Sequence, residues 1–176
     1  MSFFLETEKT GLRPVSVADA NDDYLRWMND SEVTRGLETG IFPTTKESLE
    51  SFVEKMSGSK DNVFLAIIEK STGKHIGNIK LGNIHWIHRH GELGILIGDK
   101  NAWGKGYGTD ACKLLVEYAF GKLNLHKVWL AVFSNNPSAI KVYQRLNFVE
   151  EGRLKEHVFS EGKFADKILM SVFNTK

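Results

Sequence analysis

Apolar and polar positions follow two different periods along this chain, and the changes of period divide it into elements. Residues 9–17 (KTGLRPVSV) read as a first strand, on a sheet edge because Pro14 has no amide to offer a neighbour. Asp19 is placed to cap a helix presenting Tyr24, Trp27 and Met28, and the run Asn29, Asp30, Ser31 breaks and restarts it. Thr44 with Glu47 three residues later has capping-box spacing, and Leu49, Phe52, Val53 and Met56 then recur at helical intervals up to Gly58. Residues 62–69 (NVFLAIIE) are apolar and β-rich, the turn Ser71-Thr72-Gly73-Lys74 follows, and residues 75–84 and 91–98 (GELGILIG) read as two further strands.

The period then lengthens. After Gly104, Gly106 and Gly108, the residues Ala111, Leu114, Leu115, Tyr118 and Ala119 keep helical spacing up to Gly121. A strand over residues 127–133 (KVWLAVF) leads to a loop over 134–137. Ser138 opens a helix carrying Ile140, Val142, Tyr143 and Leu146, with Asn147 suited to the left-handed position just past its end. Two strands around Ser160-Glu161-Gly162-Lys163 close the chain. The expected fold is one α/β domain over residues 1–176: a mixed, mostly antiparallel central sheet flanked by helices, with hairpins first, then a strand-helix-strand-helix crossover, then a final hairpin.

Composition narrows the class. The chain has 176 residues, of which 41% are hydrophobic and 26% charged, enough to bury a real core without staples. Its single Cys excludes an intramolecular disulfide and points to a cytoplasmic setting. Lys plus Arg is 23 against 22 for Asp plus Glu, so the basic excess of a nucleic-acid binder is missing. The start MSFFLETEKTG has no basic segment leading an apolar one, and no uninterrupted apolar run approaches membrane-spanning length, so neither a targeting signal nor a membrane partner is expected. Glycine is in excess at 16 residues, and six of these, Gly91, Gly94, Gly98, Gly104, Gly106 and Gly108, fall within one short stretch.

The placement of Gly104, Gly106 and Gly108 between a strand and a helix matters more than their number. Glycines allow close backbone approach, and amides at a helix start carry the positive end of its dipole, so the turn can hold an anion. A plain turn is the competing reading. The loop is not a P-loop, since no Gly-Lys-Ser/Thr ending follows a four-residue gap, and its glycine spacing does not fit a dinucleotide fingerprint. His85, His88 and His90 invite a metal reading, but no Cys or carboxylate pair completes a shell, so no metal is expected. Cys112 reads as a small packed side chain rather than a nucleophile.

A second motif decides among these readings. Strand KVWLAVF runs into Asn136-Pro137-Ser138-Ala139-Ile140, then Tyr143, then Asn147-Phe148. Together with Trp103-Gly104-Lys105-Gly106-Tyr107-Gly108, this resembles the GNAT acyl-CoA N-acetyltransferases, whose phosphate loop reads Gln/Arg-x-x-Gly-x-Gly/Ala and whose later motif carries Asn, Ala-Ile-x-x-Tyr and Gly-Phe. Trp103 and Asn147 depart from the family's Gln or Arg and Gly. Within the family, GNIHWIHRHGELGI and EGRLKEHVFSEGKFADKILM are similar to the branch of spermidine and ribosomal-protein N-terminal acetyltransferases. LRWMNDSEVTRGLE is similar to enzymes acetylating amino sugars on nucleotide carriers.

The resemblance implies acetyl-CoA as co-substrate and direct attack of an amine on its thioester. It implies donor contacts from Gly94, Ile95 and Leu96 on a strand that splays from its neighbour, from Trp103, Gly104, Lys105, Gly106, Tyr107, Gly108 and Thr109 in the loop and first helical turn, and from Asn136. Tyr143 matches the tyrosine that protonates the departing sulfur, and a phenol with a pKa near 10 keeps its proton at neutral pH. Simple packing is its competing role. Glu92 is the candidate base, directly or through water; strand alternation puts it on one face with Gly94 and Leu96, and a solvated carboxylate is the alternative. The acceptor segment YLRWMNDSEVTRGLETGIF mixes Asp22, Asp23, Asp30, Glu32 and Glu38 with Arg26 and Arg35, which favours a small amine, of polyamine or amino-sugar type, without fixing it. Protein N-termini and a non-catalytic acyl-CoA-binding module are the alternatives. The sequence leaves open a homo-oligomer and a second amine site.

Overall fold

The computed structural model describes residues 2–175. One eight-stranded sheet runs in the order β1-β2-β3-β4-β5-β6-β8-β7. Its strands are β1 Leu5–Glu6, β2 Thr10–Pro14, β3 Val63–Glu69, β4 Lys74–His85, β5 His90–Ile97, β6 Lys127–Phe133, β7 Val149–Ser160 and β8 Lys163–Phe173. All neighbours are antiparallel except β5 and β6. Parallel neighbours need a crossover, here helix α4, Tyr107–Gly121. The other helices are α1 Asp22–Met28, α2 Ser31–Thr34, α3 Lys46–Ser57 and α5 Pro137–Arg145. Among the described residues no helix is long and apolar enough to cross a membrane.

Helices cover both faces, so the central strands are buried on both sides and read as apolar runs. In β3, Leu65 and Ile67 enter the core under α4 and α5, while Ala66 and Ile68 enter the one under α1 and α3. The second core is pinned to β5 by Trp27, whose indole lies on the backbone of Gly98. A Cβ there would stand 2.0 Å from a ring carbon. Gly91 similarly faces Leu81 and Leu125. These two glycines are packing devices.

Several boundaries differ from the sequence reading for identifiable reasons. The first long strand is not an edge strand: β1 covers it, and Pro14 sits at its last position, where a missing amide costs little. Asn21, not Asp19, caps α1, accepting from the Tyr24 amide at 3.1 Å. Asp19 is taken instead by Arg13 in a two-pronged pair at 2.8 and 2.6 Å, a stronger use of a carboxylate than one capping bond. Thr45 with Ser48, not Thr44 with Glu47, forms the box on α3, because Thr44 is clamped through its backbone by Asn29. Helix α5 begins one residue before Ser138, on Pro137, with Asn136 as its cap. Asp30 restarts the helix after Asn29 as expected, and Asn147 adopts the expected left-handed conformation, with φ 64°.

The Arg13–Asp19 pair gives the fold an acid-sensitive point. Burial opposes ionisation of Asp19, yet the Arg13 guanidinium and the Ser16 amide and hydroxyl more than offset it, bringing the pKa down to about 2. A depressed carboxylate stabilises the fold above its ordinary value and loses that contribution as pH falls through the folded one. His75, 3.9 Å from Asp19, is pushed below its ordinary value by burial, so stability already begins to fall as the unfolded histidine protonates near pH ~6.5. Asp19→Asn should lower stability at pH 7 by about 2 kcal/mol and flatten the decline between pH ~4 and ~2; urea titrations across pH check this, and an unchanged acid limb would contradict it. Gly98→Ala should cost about 1–3 kcal/mol by displacing Trp27, whereas Gly94→Ala, with nothing within 4 Å, should leave the thermal midpoint nearly unmoved.

Candidate active site

The site is organised by a ladder that stops. Strands β5 and β6 pair only at His90↔Lys127, Gly91↔Val128 and Glu92↔Trp129. Beyond Glu92, β5 continues along β4 and β6 continues along β8, so the two part. The Gly98 amide donates to the Ile76 carbonyl at 2.9 Å, which sets the phase of the β4–β5 ladder. By strand alternation the backbone groups of Leu93, Ile95 and Ile97 therefore point away from β4, into the gap. The Ile97 carbonyl accepts there from Trp103 Nε1 at 2.8 Å; the last pair of the ladder takes up the Leu93 amide, and Ile95 has no strand partner on that side. Of the three strand positions expected to contact a donor, Ile95 presents its backbone to the gap. Gly94 and Leu96 turn theirs to β4, and Gly94 offers open space.

Side chains of β5 alternate as the sequence implied. Leu93, Ile95 and Ile97 join the core under α4, and Leu96 the core under α1 and α3, which places Glu92 on the latter face. Glu92 stands where the ladder ends, opposite Gly82 and Trp129. A bulge in β4 between Gly82 and His85 puts Asn83 in the left-handed region, φ 50°, and its Nδ2 donates to Glu92 Oε2 at 2.8 Å. Asn83 has no signature in the sequence; only the bulge brings it to Glu92.

The glycine loop lies at the open end of the gap. Gly104 and Gly106 have φ of 74° and 84°, conformations that favour glycine, and α4 starts at Tyr107 with no side-chain cap. The first helical bond runs from the Asp110 amide to the Gly106 carbonyl at 3.1 Å, leaving the amides of Tyr107, Gly108 and Thr109 without an acceptor among the described residues. A Cβ added at Gly108 would only reach ordinary contact distance from Ile95 and Ile97, so this turn lies over those two side chains. The large side chains of the loop serve as anchors: the Trp103 indole is tied to Ile97, and the Tyr107 hydroxyl donates to Glu69, which also accepts from Thr72. That bond, then burial, raises the Tyr107 pKa. What the loop presents is backbone. The Lys105 carbonyl accepts from Lys9 Nζ at 2.9 Å, a partner 96 positions away that sequence reasoning missed.

Helix α5 follows β6 and brings the other candidates. Asn136 Oδ1 accepts from the Ala139 amide at 3.2 Å and from Ser138 Oγ at 2.9 Å, while its Nδ2 lies 2.8 Å from where a Cβ of Gly36 would stand. The chain after α2 thus rests on the start of α5. Tyr143 is buried against Phe148, ring centroids 5.8 Å apart, and its hydroxyl makes no hydrogen bond among the described residues. Burial, with a smaller effect from Cys112, pushes its pKa well above the ordinary phenol value. Burial likewise pushes the Cys112 thiol up to about 12, so it holds no reactive thiolate near neutrality. Tyr143 and Glu92 lie on opposite faces of the sheet, Tyr143 in the core under α4 and α5 and Glu92 at the end of the β5–β6 ladder.

Two further groups resolve differently. His85, His88 and His90 stack, His88 and His90 at 4.3 and 5.5 Å from His85, and no group of three His, Cys, Asp or Glu among the described residues is placed to hold a metal ion. The acids of the expected acceptor segment are largely spent internally: Asp23 on Arg26, Asp30 and Glu32 on Lys100, and Glu38 on Lys167.

Comparison with known proteins agrees with this geometry. Residues 9–149 match the acetyltransferase (GNAT) domain family. The chain is 31% identical over 154 residues to the spermidine N(1)-acetyltransferase of Vibrio cholerae, covering 86% of this chain and 88% of that one. It is similar to the crystal structure of a Vibrio cholerae spermidine N-acetyltransferase in complex with CoA and spermine, with a TM-score of 0.87 and 27% identity over 97% of this chain and 98% of that one. It is also similar to a dodecameric structure of the enzyme from that organism, with a TM-score of 0.79 and 27% identity over 95% of each chain. With the parted strands, the glycine loop between strand and helix, and a family match over most of its length, the chain belongs to the GNAT acetyltransferases.

Proposed function

We propose that the protein transfers an acetyl group from acetyl-CoA to a primary amine of a small molecule, of polyamine or amino-sugar type, by direct attack in a ternary complex. The observation that carries this reading is the parting of β5 from β6 with an uncapped glycine loop at its open end. Backbone groups in the gap would hold the extended arm of the donor, and the amides of Tyr107, Gly108 and Thr109 would hold its phosphates. The polyamine type is supported by relatives named for spermidine. The dodecameric relative supports self-association of this chain, which light scattering can measure.

The amine nitrogen attacks the thioester carbon, the carbon–sulfur bond breaks, and two protons must be managed. The departing thiolate takes one from Tyr143, whose burial keeps it protonated well beyond neutral pH. The ammonium formed on attack loses the other through Glu92, held by Asn83 at the point where the strands separate. Because no nucleophile of the protein enters, initial rates should follow intersecting rather than parallel kinetics.

Tyr143→Phe should lower kcat about 100-fold while the Kd for CoA stays within about twofold; unchanged turnover removes Tyr143 as the acid. In Glu92→Gln the limb of the pH–rate profile that reports the base should move, and a superimposable profile would exclude that role. An acceptor screen with acetyl-CoA across polyamines, amino-sugar nucleotides and peptides with free N-termini tests the substrate class. Turnover of peptides alone would overturn the small-molecule reading, and CoA binding without transfer to any amine would overturn catalysis.

A further inference from the structure

The glycine loop carries one positive side chain, Lys105, whose charge acts on Glu69, and the structure brings a second ammonium to the loop from elsewhere. Lys9 precedes β2, and its ammonium donates to the Lys105 carbonyl at 2.9 Å. It also stands 2.8 Å from where a Cβ of Gly106 would be and 5.6 Å from the centre of the Tyr107 ring. Any side chain at position 106 would displace it. The tight turn before β2, with the Thr7 amide donating to the Thr10 carbonyl at 2.8 Å and the Thr10 amide to Thr7 Oγ1 at 3.1 Å, fixes the residue on the loop.

Lys9 is not used up by these contacts. An ammonium has three N–H groups, and only the Lys105 carbonyl lies within hydrogen-bond distance. Asp110 Oδ2 is 3.9 Å away, close enough to attract and too far to accept. That carboxylate already accepts from Thr7 Oγ1 and Thr10 Oγ1 at 3.1 and 3.0 Å. The Lys9 side chain is 48% exposed and borders a cavity of about 790 Å³ lined also by Thr7, Glu8, Lys70, Ser71 and Asp110. Lys70, the other cation there, is committed to Glu6 and the Thr7 carbonyl at 2.6 and 2.9 Å.

We infer that Lys9 is a donor-binding residue whose ammonium contacts a phosphate of CoA held on the amides of Tyr107, Gly108 and Thr109. The inference rests on the proposed use of acetyl-CoA and adds a recognition group supplied from the start of β2, three strands away from β5 in the sheet. Lys9 acts in two ways. It offers charge-assisted N–H groups to the anion, and it neutralises Asp110, which would otherwise repel a phosphate from the first turn of α4.

Isothermal titration of the full-length protein with CoA and with 3′-dephospho-CoA, at two salt concentrations, tests this. Lys9→Met should weaken CoA binding about tenfold and reduce its salt dependence, with the melting temperature of the free protein held. Lys9→Arg should retain most of the affinity, and adding Asp110→Asn to Lys9→Met should recover part of the loss. An equal loss for both ligands assigns the contact to the diphosphate, and a loss confined to CoA assigns it to the 3′-phosphate. Wild-type affinity in Lys9→Met would overturn the inference, as would a salt-independent loss that Asp110→Asn does not relieve, the mark of a purely structural clamp. Failure of the wild type itself to bind CoA would overturn the donor assignment, a result distinct from either.

Discussion

A parallel ladder of three residue pairs, ended at Glu92, is the constraint on which the molecule turns. Had β5 and β6 paired along their length, the sheet would be continuous and the backbone groups of Ile95 spent on β6. Instead each strand follows its outer partner, β4 or β8, and peptide groups face one another across a gap. Buried peptide groups left without partners are costly, so such a gap is stable only when water or a ligand's own amides satisfy it. The sheet thus stores hydrogen-bonding capacity that sequence-specific side chains need not provide. That explains why the strand positions whose backbone faces the gap, Ile95 and Ile97, carry apolar side chains rather than polar ones.

The same economy governs charge. The chain is nearly neutral, and around α1 and α2 the carboxylates of Asp23, Asp30 and Glu32 are paired with neighbouring cations. What the loop holds for an anion is local: three free amides at the start of α4, where the helix dipole is positive, the Lys9 ammonium on the Lys105 carbonyl, and Lys105 itself. For an amine acceptor, internal pairing of Asp30, Glu32 and Glu38 means that a cationic substrate must compete with Lys100 and Lys167 for them. At these three positions recognition of a polyamine would then depend on exchange of ion pairs.

Much of this was legible in the sequence because it is local. The strand residues of β3 and β5, the glycine turn before an amphipathic helix, and Asn147 at a left-handed helix end each follow from short-range steric and hydrophobic rules. Failures came where two groups compete for one partner. Asp19 has a good capping position, but Arg13 outbids the helix, and Asn29 removes Thr44 from the start of α3. Lys9 and Asn83 reach the site through tertiary contacts and a bulge, for which a single sequence has no signal. Trp103 and Tyr107 were read as donor contacts within a motif. Their rings anchor the loop, Trp103 to the Ile97 carbonyl and Tyr107 to Glu69, contacts for which the sequence has no signal.

The placement of Tyr143 and Glu92 on opposite faces of the sheet bears on how one site could manage two protons. A phenol and a carboxylate within reach of each other would exchange a hydrogen bond, which would tie up the donor intended for sulfur and stabilise the carboxylate. Here the sheet keeps them apart: Tyr143 lies in the apolar core with Cys112 and Phe148, and Glu92 stands on the face carrying Asn83 and Trp129. Burial makes the phenol reluctant to ionise, so a full tyrosinate is disfavoured and transfer is favoured only as negative charge develops on a nearby acceptor. In the proposed reaction that acceptor is a thiolate, itself poorly solvated in the same core, so both ends of the transfer share one environment and the proton follows the breaking of the carbon–sulfur bond. In that proposed reaction the gap that would hold the donor would also let acid and base act on one reacting centre from two sides without neutralising each other.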